Sequence, residues 1–290
     1  MKGIILSGGH GSRLYPATAS VSKQLIPIFD KPLIYYPLCT LIYAGIDEIL
    51  CITSIEDNNS FKKLLGNGNS IGLKIQYAIQ KKPNGIAESF LIAENFIAND
   101  NVALILGDNI FYGIENEPTL NFSNFKTGAR IFAYQVPDPS RYGVIEFNNK
   151  NIISIEEKPR KPKSKLAVTG LYFYDNNVIN IAKNIKPSKR KELEITDVNN
   201  SYINMKSLEF TKLKNNVVWL DAGTPTSLLQ ASQFVQTIQE RQQINICCPE
   251  EAAFKKGLIS LNQLKNIAGS YPNNSYGNYL KNLVIENKNN

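Results

Sequence analysis

Short apolar runs alternate with stretches of helical spacing through the first 106 residues. Each run ends in polar or glycine-containing sequence, which is typical of a buried strand. Strands that alternate with helices predict an α/β fold, with a Rossmann-like, mixed but mostly parallel sheet whose ligands lie at the carboxyl ends of the strands. The predicted strands are 3–6, 47–53, 73–80 and 101–106, and the predicted helices are 31–44, 61–65 and 87–97.

The middle of the chain is richer in strand patterns, and its end is helical. A long amphipathic helix at 226–242 follows Thr224 and Thr226, either of which is a plausible N-cap. The tail from residue 244 onward reads as short helices rich in Asn and Lys. The remaining predicted strands are 129–136, 143–147, 152–155, 168–174, 208–213 and 217–220, and the remaining predicted helices are 176–185 and 195–202.

The composition supports a real core and argues against nucleic acid as a partner. The 290 residues are 43% hydrophobic and 20% charged, with a formal net charge of +7. The lysines are scattered, and the densest basic stretch, 158–165, is short and broken by prolines. We therefore expect a basic protein that holds several phosphates rather than one that binds a nucleic-acid backbone.

The cysteines and the apolar runs indicate a cytoplasmic protein without a zinc site or a membrane span. There is no C-x-x-C pair and only one histidine, which excludes the usual zinc-ligand patterns. No apolar stretch reaches the length needed to cross a bilayer, and the N-terminus does not read as a secretory signal. Cys39 and Cys51 lie in apolar surroundings and are predicted to be buried, and the vicinal pair Cys247-Cys248 cannot readily form a disulfide without strain. This cysteine usage suits a reducing compartment.

A glycine-rich loop at 7–12 follows the first predicted strand and carries the strongest chemical signal. Glycines let the backbone approach a ligand, and its N–H groups then form a nest for anionic oxygens. Arg13 and Lys23 add full positive charge. The loop predicts a polyphosphate site, most commonly a nucleotide site. The dinucleotide fingerprint requires glycine where Leu14 stands, and the P-loop ending is absent, so the alternative is a plain turn with two solvated cations.

Two aspartates end apolar strands and are candidates for binding a metal ion. Asp108 follows the run 101–106, and Asp221 follows Trp219-Leu220. Each alone is an ordinary turn or capping residue, but together with a phosphate loop they favour a magnesium site, since Mg²⁺ is commonly held by one or two carboxylates and substrate phosphates. The sequence does not show that the two carboxylates converge.

The remaining motifs are weak one by one and specific as a set. The full string G-G-x-G-[ST]-R-L-x-P, followed by S-K-Q-L-[IV]-P, resembles the sugar-1-phosphate nucleotidylyltransferases, most closely the glucose-1-phosphate thymidylyltransferases. Further matching motifs occur in the order and approximate spacing of that family over essentially the whole chain. The matching segments are 8–14, 22–25, 107–109, 157–159, 168–170 and 219–224.

The resemblance implies a role for each matching position. The implied catalytic residues are Arg13, Asp108 and Lys158, and the implied Mg²⁺ ligands are Asp108 and Asp221. The implied nucleotide site comprises Gly8, Gly9, Gly11, Ser12, Arg13, Lys23, Gln24, Gln80, Gly85 and Asp108. The implied sugar-phosphate site comprises Asn109, Tyr142, Gly143, Glu157, Lys158 and Val168.

The resemblance also implies a division of the chain and an assembly. Residues 1–242 form the catalytic core, with a nucleotide-binding half at about 1–115 and a sugar-phosphate half at about 116–242. Residues 243–290 form a helical extension for regulation or oligomerisation, and the expected assembly is a homotetramer. Four positions depart from the family pattern, of which Lys255, in place of arginine, weakens the expected regulatory site; the others are His10, Ile86 and Glu88.

The activity implied is thymidylyl transfer from dTTP to glucose 1-phosphate, giving dTDP-glucose for deoxysugars such as rhamnose. Two rivals share the fold: the same transfer with UTP or CTP, and a non-catalytic nucleotide-sugar sensor. A dinucleotide-dependent oxidoreductase is a third, against which the broken fingerprint at Leu14 counts.

Overall fold

The computed structural model describes residues 2–9, 11–148 and 151–288, so His10 lies outside the described residues. Its central sheet has nine strands, and the predicted fold class is confirmed. The strands are β1 Lys2–Ser7, β2 Pro27–Ile28, β3 Lys31–Pro32, β4 Glu48–Thr53, β5 Lys74–Ile79, β6 Val102–Leu106, β7 Asn109–Tyr112, β8 Ala129–Gln135, β9 Gly143–Asn148, β10 Asn151–Glu157, β11 Leu166–Tyr174, β12 Leu208–Lys212 and β13 Val218–Asp221.

Helices lie between the strands and after the last of them. The α-helices are α1 Tyr35–Tyr43, α2 Asn58–Leu65, α3 Glu88–Ile92, α4 Glu94–Ile97, α5 Val178–Asn184, α6 Ile195–Asn204, α7 Pro225–Gln242, α8 Pro249–Lys255, α9 Leu261–Ser270 and α10 Ser275–Glu286. Thr224 is the N-cap of α7, where its side chain and that of Ser227 form a capping box.

The parallel half of the sheet brings three strand ends to one edge. β1 pairs in parallel with β4 and with β6, and β4 pairs in parallel with β5. The strands are apolar because both faces of this half are covered; Ile5 and Ile105 pack in one buried cluster and Ile4 and Leu104 in another. The loop after β1, the end of β5 and the end of β6 therefore lie close together.

The antiparallel half extends the sheet beyond β6. β11 runs antiparallel to β6 and also pairs with β8 and β9, and β10 pairs with β9. A separate pair, β7 with β13, starts immediately after Asp108 and joins segments more than a hundred residues apart in the chain. This long-range pairing positions the second aspartate.

The predicted elements differ from the structure in three places. The helix predicted at 31–44 begins only at Tyr35, because Lys31–Pro32 pairs with Pro27–Ile28 as a short antiparallel ribbon. The helix predicted at 87–97 is broken at Ala93 into α3 and α4. The strand Asn109–Tyr112 was not predicted, because its apolar pattern is only four residues long and its partner is remote.

The C-terminal helices pack around a small cluster of their own. Leu264, Leu280 and Val284 are among its buried residues. The four cysteines are free and buried, which for Cys39 and Cys51 agrees with the burial that their apolar surroundings predict. In the described part of the chain, none of the helices has the length and apolar character to span a membrane.

Candidate active site

At Gly8 the loop after β1 runs so close to Gln80 that a side chain is excluded. A Cβ atom at Gly8 would lie 2.5 Å from Oε1 of Gln80. Gly11 has a φ of +59°, and its carbonyl oxygen accepts a hydrogen bond of 3.0 Å from the Thr18 hydroxyl. The chain then enters a single 3₁₀ turn that carries Arg13 with its side chain exposed. The loop thus sets a backbone surface and a guanidinium beside the strand ends.

Asp108, just beyond β6, is paired with Lys23. The Lys23 ammonium donates to Oδ2 at 2.5 Å, and the Asn109 amide donates to Oδ1 at 2.9 Å. Burial raises the pKa of this carboxyl, but the charge of Lys23 and the two hydrogen bonds outweigh burial and hold the pKa below its usual range. Asp108 is therefore a carboxylate at neutral pH.

The β7–β13 pair brings Asp221 next to Asp108. In this antiparallel ladder Asp221 lies opposite Asn109, and the N–H of Ala222 donates to the Asp108 carbonyl oxygen at 3.0 Å. The Asp221 carboxylate accepts hydrogen bonds from Arg141 (3.0 Å) and from the Tyr142 hydroxyl (2.8 Å). Two aspartates from distant parts of the chain are thus brought to one end of the β7–β13 pair, and both line the same cavity.

Asn109 connects the β7–β13 pair to the central sheet. Its Oδ1 accepts from the indole N–H of Trp219 at 2.6 Å and from the N–H of Gly170 at 3.0 Å. The side chain is 2% exposed, so these bonds are made away from water. Asn109 therefore fixes β7, β13 and β11 relative to one another around Asp108.

The end of the β9–β10 hairpin supplies the other side of the site. Glu157 pairs with Gly143 in register, and its carboxylate accepts from the Thr196 hydroxyl at 2.6 Å. Lys158 follows with a φ of +48°, and its N–H donates to the Tyr142 carbonyl oxygen at 2.9 Å. A left-handed lysine costs about 1 kcal/mol. Such strain is more often kept at sites of function than elsewhere.

Two cavities of about 210 Å³ each meet at Asp108. The first cavity is lined by residues predicted to bind nucleotide, and the second by those predicted to bind the sugar phosphate together with Arg13 and Asp221. Ile86, Leu106 and Glu192 also border both. Larger clefts of about 830 and 860 Å³ lie beside the C-terminal helices and at the sheet edge, but among the described residues neither is lined by the glycine loop or Asp108.

Most of the predicted site residues line these two cavities. Those in the first cavity are Gly9, Lys23, Gln24, Gln80, Gly85 and Asp108. Those in the second are Arg13, Asp108, Asn109, Tyr142, Gly143, Glu157, Lys158, Val168 and Asp221. Gly8, Gly11 and Ser12 belong to the same loop without lining either cavity as it is described. The structure brings the predicted residues together, and the role of each stays a prediction.

The sequence reading missed two arginines in the second cavity. Arg141 pairs with Asp221, and Arg190 donates to Glu194 at 2.8 Å and lies 3.6 Å from Glu157. Both line the cavity with Lys158. Arg190 stands in a polar stretch without a recognisable motif, so only its proximity in space identifies it. Arg141 directly precedes Tyr142-Gly143, and that adjacency was the available signal.

The two aspartates fit a divalent cation whose coordination is completed by the substrate phosphates. Both carboxylates line one cavity, and the donor set of two hard oxygens suits Mg²⁺, which keeps waters and phosphate ligands. In the described residues, no group of three or more His, Cys, Asp or Glu side chains could hold a metal ion by itself. A cation here would depend on bound phosphates.

Comparison with known proteins identifies the family. The model of a family described as nucleotidyl transferase matches residues 2–238. This chain belongs to the nucleotidyl transferase family. The glucose-1-phosphate thymidylyltransferase of Neisseria meningitidis serogroup A is 54% identical over 98% of this chain and 99% of its own length. The protein of that name from Mycobacterium tuberculosis H37Rv is 49% identical over 99% of this chain and 100% of its own.

Solved structures agree with this nucleotidyl transferase fold. A candidate glucose-1-phosphate thymidylyltransferase from Bacillus anthracis, crystallised with sucrose, is 43% identical with a TM-score of 0.75, covering 81% of this chain and 94% of that one. A UDP-glucose pyrophosphorylase complexed with UDP-glucose has a TM-score of 0.70 at 24% identity, over 81% of this chain and 98% of that one. The latter likeness concerns the fold alone. The predicted family and enzyme class are confirmed.

Proposed function

We propose that this nucleotidyl transferase transfers a thymidylyl group from dTTP to glucose 1-phosphate, releasing pyrophosphate. The observation that carries the proposal is the meeting of two cavities at Asp108, with cationic side chains on both sides. Lys23 borders the first cavity, while Arg13, Lys158 and Arg190 border the second. Relatives at about half identity over nearly the whole chain carry the corresponding name.

The reaction is a single in-line displacement. An oxygen of the sugar phosphate bonds to the α-phosphorus of dTTP while the bond to the bridging oxygen breaks, and pyrophosphate leaves with that electron pair. The sugar phosphate is already an anionic nucleophile, so no general base is required. The two anionic reactants repel each other as they approach, and positioned cations offset this repulsion.

The cations have distinct tasks in this proposal. Lys158 binds the sugar phosphate, Arg190 supports the same phosphate, and Arg13 binds the leaving pyrophosphate. Glu157 orients sugar hydroxyls. The Thr196 hydroxyl donates to its carboxylate at 2.6 Å and holds it in position for this role. Lys23 keeps Asp108 ionised and oriented toward the junction.

Asp108 and Asp221 would hold Mg²⁺ together with the nucleotide phosphates. The cation supplies charge neutralisation at the phosphates when it is bound. Arg141 and Tyr142 fix the Asp221 carboxylate for this role. Removing divalent cations with a chelator is expected to stop pyrophosphate release, and added Mg²⁺ is expected to restore it.

A direct assay tests the proposal and its rivals. Purified protein is incubated with Mg²⁺, glucose 1-phosphate and dTTP, UTP or CTP in parallel, and pyrophosphate release is followed. We expect turnover with the highest kcat/KM for dTTP. A higher kcat/KM with UTP or CTP would favour the first rival. Nucleotide-sugar binding without pyrophosphate release would favour the sensor.

The wider setting is also part of the proposal. We propose the division that the resemblance implies, a catalytic core at 1–242 and a helical extension at 243–290. We propose a cytoplasmic homotetramer whose product serves deoxysugar synthesis. A second nucleotide-sugar site would use the cleft of about 830 Å³ beside the C-terminal helices together with the cavity of about 90 Å³ beside Tyr112. Both are lined by Lys255 and Glu251, which pair at 2.7 Å.

A further inference from the structure

Glu88, at the start of α3, contacts the side-chain amide of Gln80 from outside the nucleotide cavity. We propose that Glu88 is a positioning residue that makes Gln80 present only a hydrogen-bond acceptor to the base, and so selects bases with a ring N–H. This inference rests on the proposed function, in which the first cavity binds a pyrimidine nucleotide.

The contacts of Gln80 fix which end of its amide is nitrogen. One terminal atom lies 2.7 Å from Oε2 of Glu88 and 3.2 Å from the carbonyl oxygen of Gly85. A carboxylate and a carbonyl can only accept hydrogen bonds. The atom between them is therefore Nε2, and both of its hydrogens are used.

The other end of the amide is left for a ligand. Oε1 of Gln80 lies over Gly8, where an added Cβ would come within 2.5 Å of it. No hydrogen bond to this oxygen occurs among the described residues, although the side chain is only 5% exposed. Since Gln80 lines the first cavity, its free oxygen is an acceptor near the phosphate loop.

Glu88 also has a hydrogen-bond partner on its other carboxylate oxygen. Its Oε1 accepts from the Asn84 amide at 2.8 Å, which leaves Oε2 for Gln80. A glutamine at position 88 could either donate or accept, and Gln80 could then turn over. A carboxylate permits one orientation only.

This orientation distinguishes pyrimidine bases by their edges. Thymine and uracil carry an N3–H donor between two carbonyls, which matches a buried acceptor. Cytosine has a lone pair at N3, and an acceptor facing it is unfavourable. A buried polar group left unpaired or opposed discriminates more strongly than an apolar contact.

Equilibrium binding of dTTP, dUTP and dCTP tests the role of Glu88, since dUTP and dCTP differ only in the base edge. In Glu88→Leu we expect the preference for dUTP over dCTP to fall by about tenfold. The ratio of dTTP to dUTP affinity reports the methyl contact and should stay unchanged. Glu88→Gln, whose side chain has the same size as glutamate, should lose part of the preference. This variant provides the test if Glu88→Leu does not fold.

Asn84→Ala is the matched control, because it removes the other partner of the same carboxylate from an exposed position. It should keep the preference for dUTP. Any of three outcomes would overturn the proposal. The preference could be unchanged in both Glu88 variants, it could fall equally in Asn84→Ala, or the unaltered protein could show no preference. The proposed function fails separately, by absence of pyrophosphate release from the unaltered protein with dTTP and glucose 1-phosphate.

Discussion

Asp221 lies directly opposite Asn109 in the β7–β13 ladder, and Asn109 donates to Asp108. One buried residue thus contacts the Asp108 carboxylate through its side chain and pairs through its backbone with Asp221, which the sequence places 113 residues from Asp108. The same side chain accepts from Trp219 and Gly170. The geometry of the site therefore depends on a residue that is central to packing as well as to the cavity.

Replacing Asn109 with leucine should destabilise the fold and the site together. The N–H groups of Trp219 and Gly170 would be buried without an acceptor, at a cost of about 2 to 5 kcal/mol in the free energy of unfolding. Denaturant unfolding measures this. Asn180→Ala, on the exposed face of α5, is the control and should change little. Equal stability of the two variants would contradict the role of Asn109.

Removing the Lys158 ammonium should reduce turnover with little loss of stability. Lys158→Ala is expected to lower kcat/KM by about a hundredfold or more, since a preorganised charge at a developing anion contributes that much. Steady-state assays of pyrophosphate release measure the change. Lys163→Ala is the matched control, because Lys163 is also exposed and pairs with Glu146 away from the cavity. If Lys158→Ala kept normal turnover, the assignment would be wrong.

The ion pair of Asp108 predicts a pH dependence. Because its pKa is lowered from 3.8, its ionised form contributes stability above that pH, and the contribution is lost as the pH falls through the folded-state pKa. In Lys23→Met the Lys23 charge no longer opposes the effect of burial on Asp108, so the pKa of Asp108 should rise.

The acid limb of the kcat/KM profile of Lys23→Met should therefore move to higher pH. Profiles of the variant and the unaltered protein give the midpoints directly. Lys74→Met removes an ion pair with Glu48 on an exposed part of β5, and its acid limb should not move. Coincident acid limbs for Lys23→Met and the unaltered protein would show that Lys23 does not control Asp108.

Replacing two glycines with alanine, one at a time, should change the stability of the protein in opposite directions. Gly85 has a φ of +110°, and a Cβ would lie 2.3 Å from the Leu193 carbonyl oxygen, so Gly85→Ala should cost about 2 kcal/mol or more. Gly269 lies inside α9 with no atom within 4 Å of an added Cβ, so Gly269→Ala should stabilise by about 0.5 to 1 kcal/mol. Thermal unfolding compares them, and stabilisation by Gly85→Ala would contradict the close approach.

Local patterns predicted most of the elements that surround the site. The apolar runs ending at Ser7 and Leu106 were strands because each is short, strongly apolar and followed by a glycine turn. The ribbon Lys31–Pro32 and the strand Asn109–Tyr112 were not predicted, because two and four residues carry too little periodicity. Their pairing is decided by partners elsewhere in the chain.

The sequence by itself determined the glycine-rich loop at 7–12, the two aspartates at strand ends and the resemblance to a family, because each is carried by residue type and local order. Only the tertiary structure decided that Asp221 faces Asn109, that Arg190 enters the second cavity, and that Glu88 reaches Gln80. These contacts join distant segments through packing and hydrogen bonds. No local pattern encodes them, since a side chain's partner across the fold is set by how the sheet and helices pack.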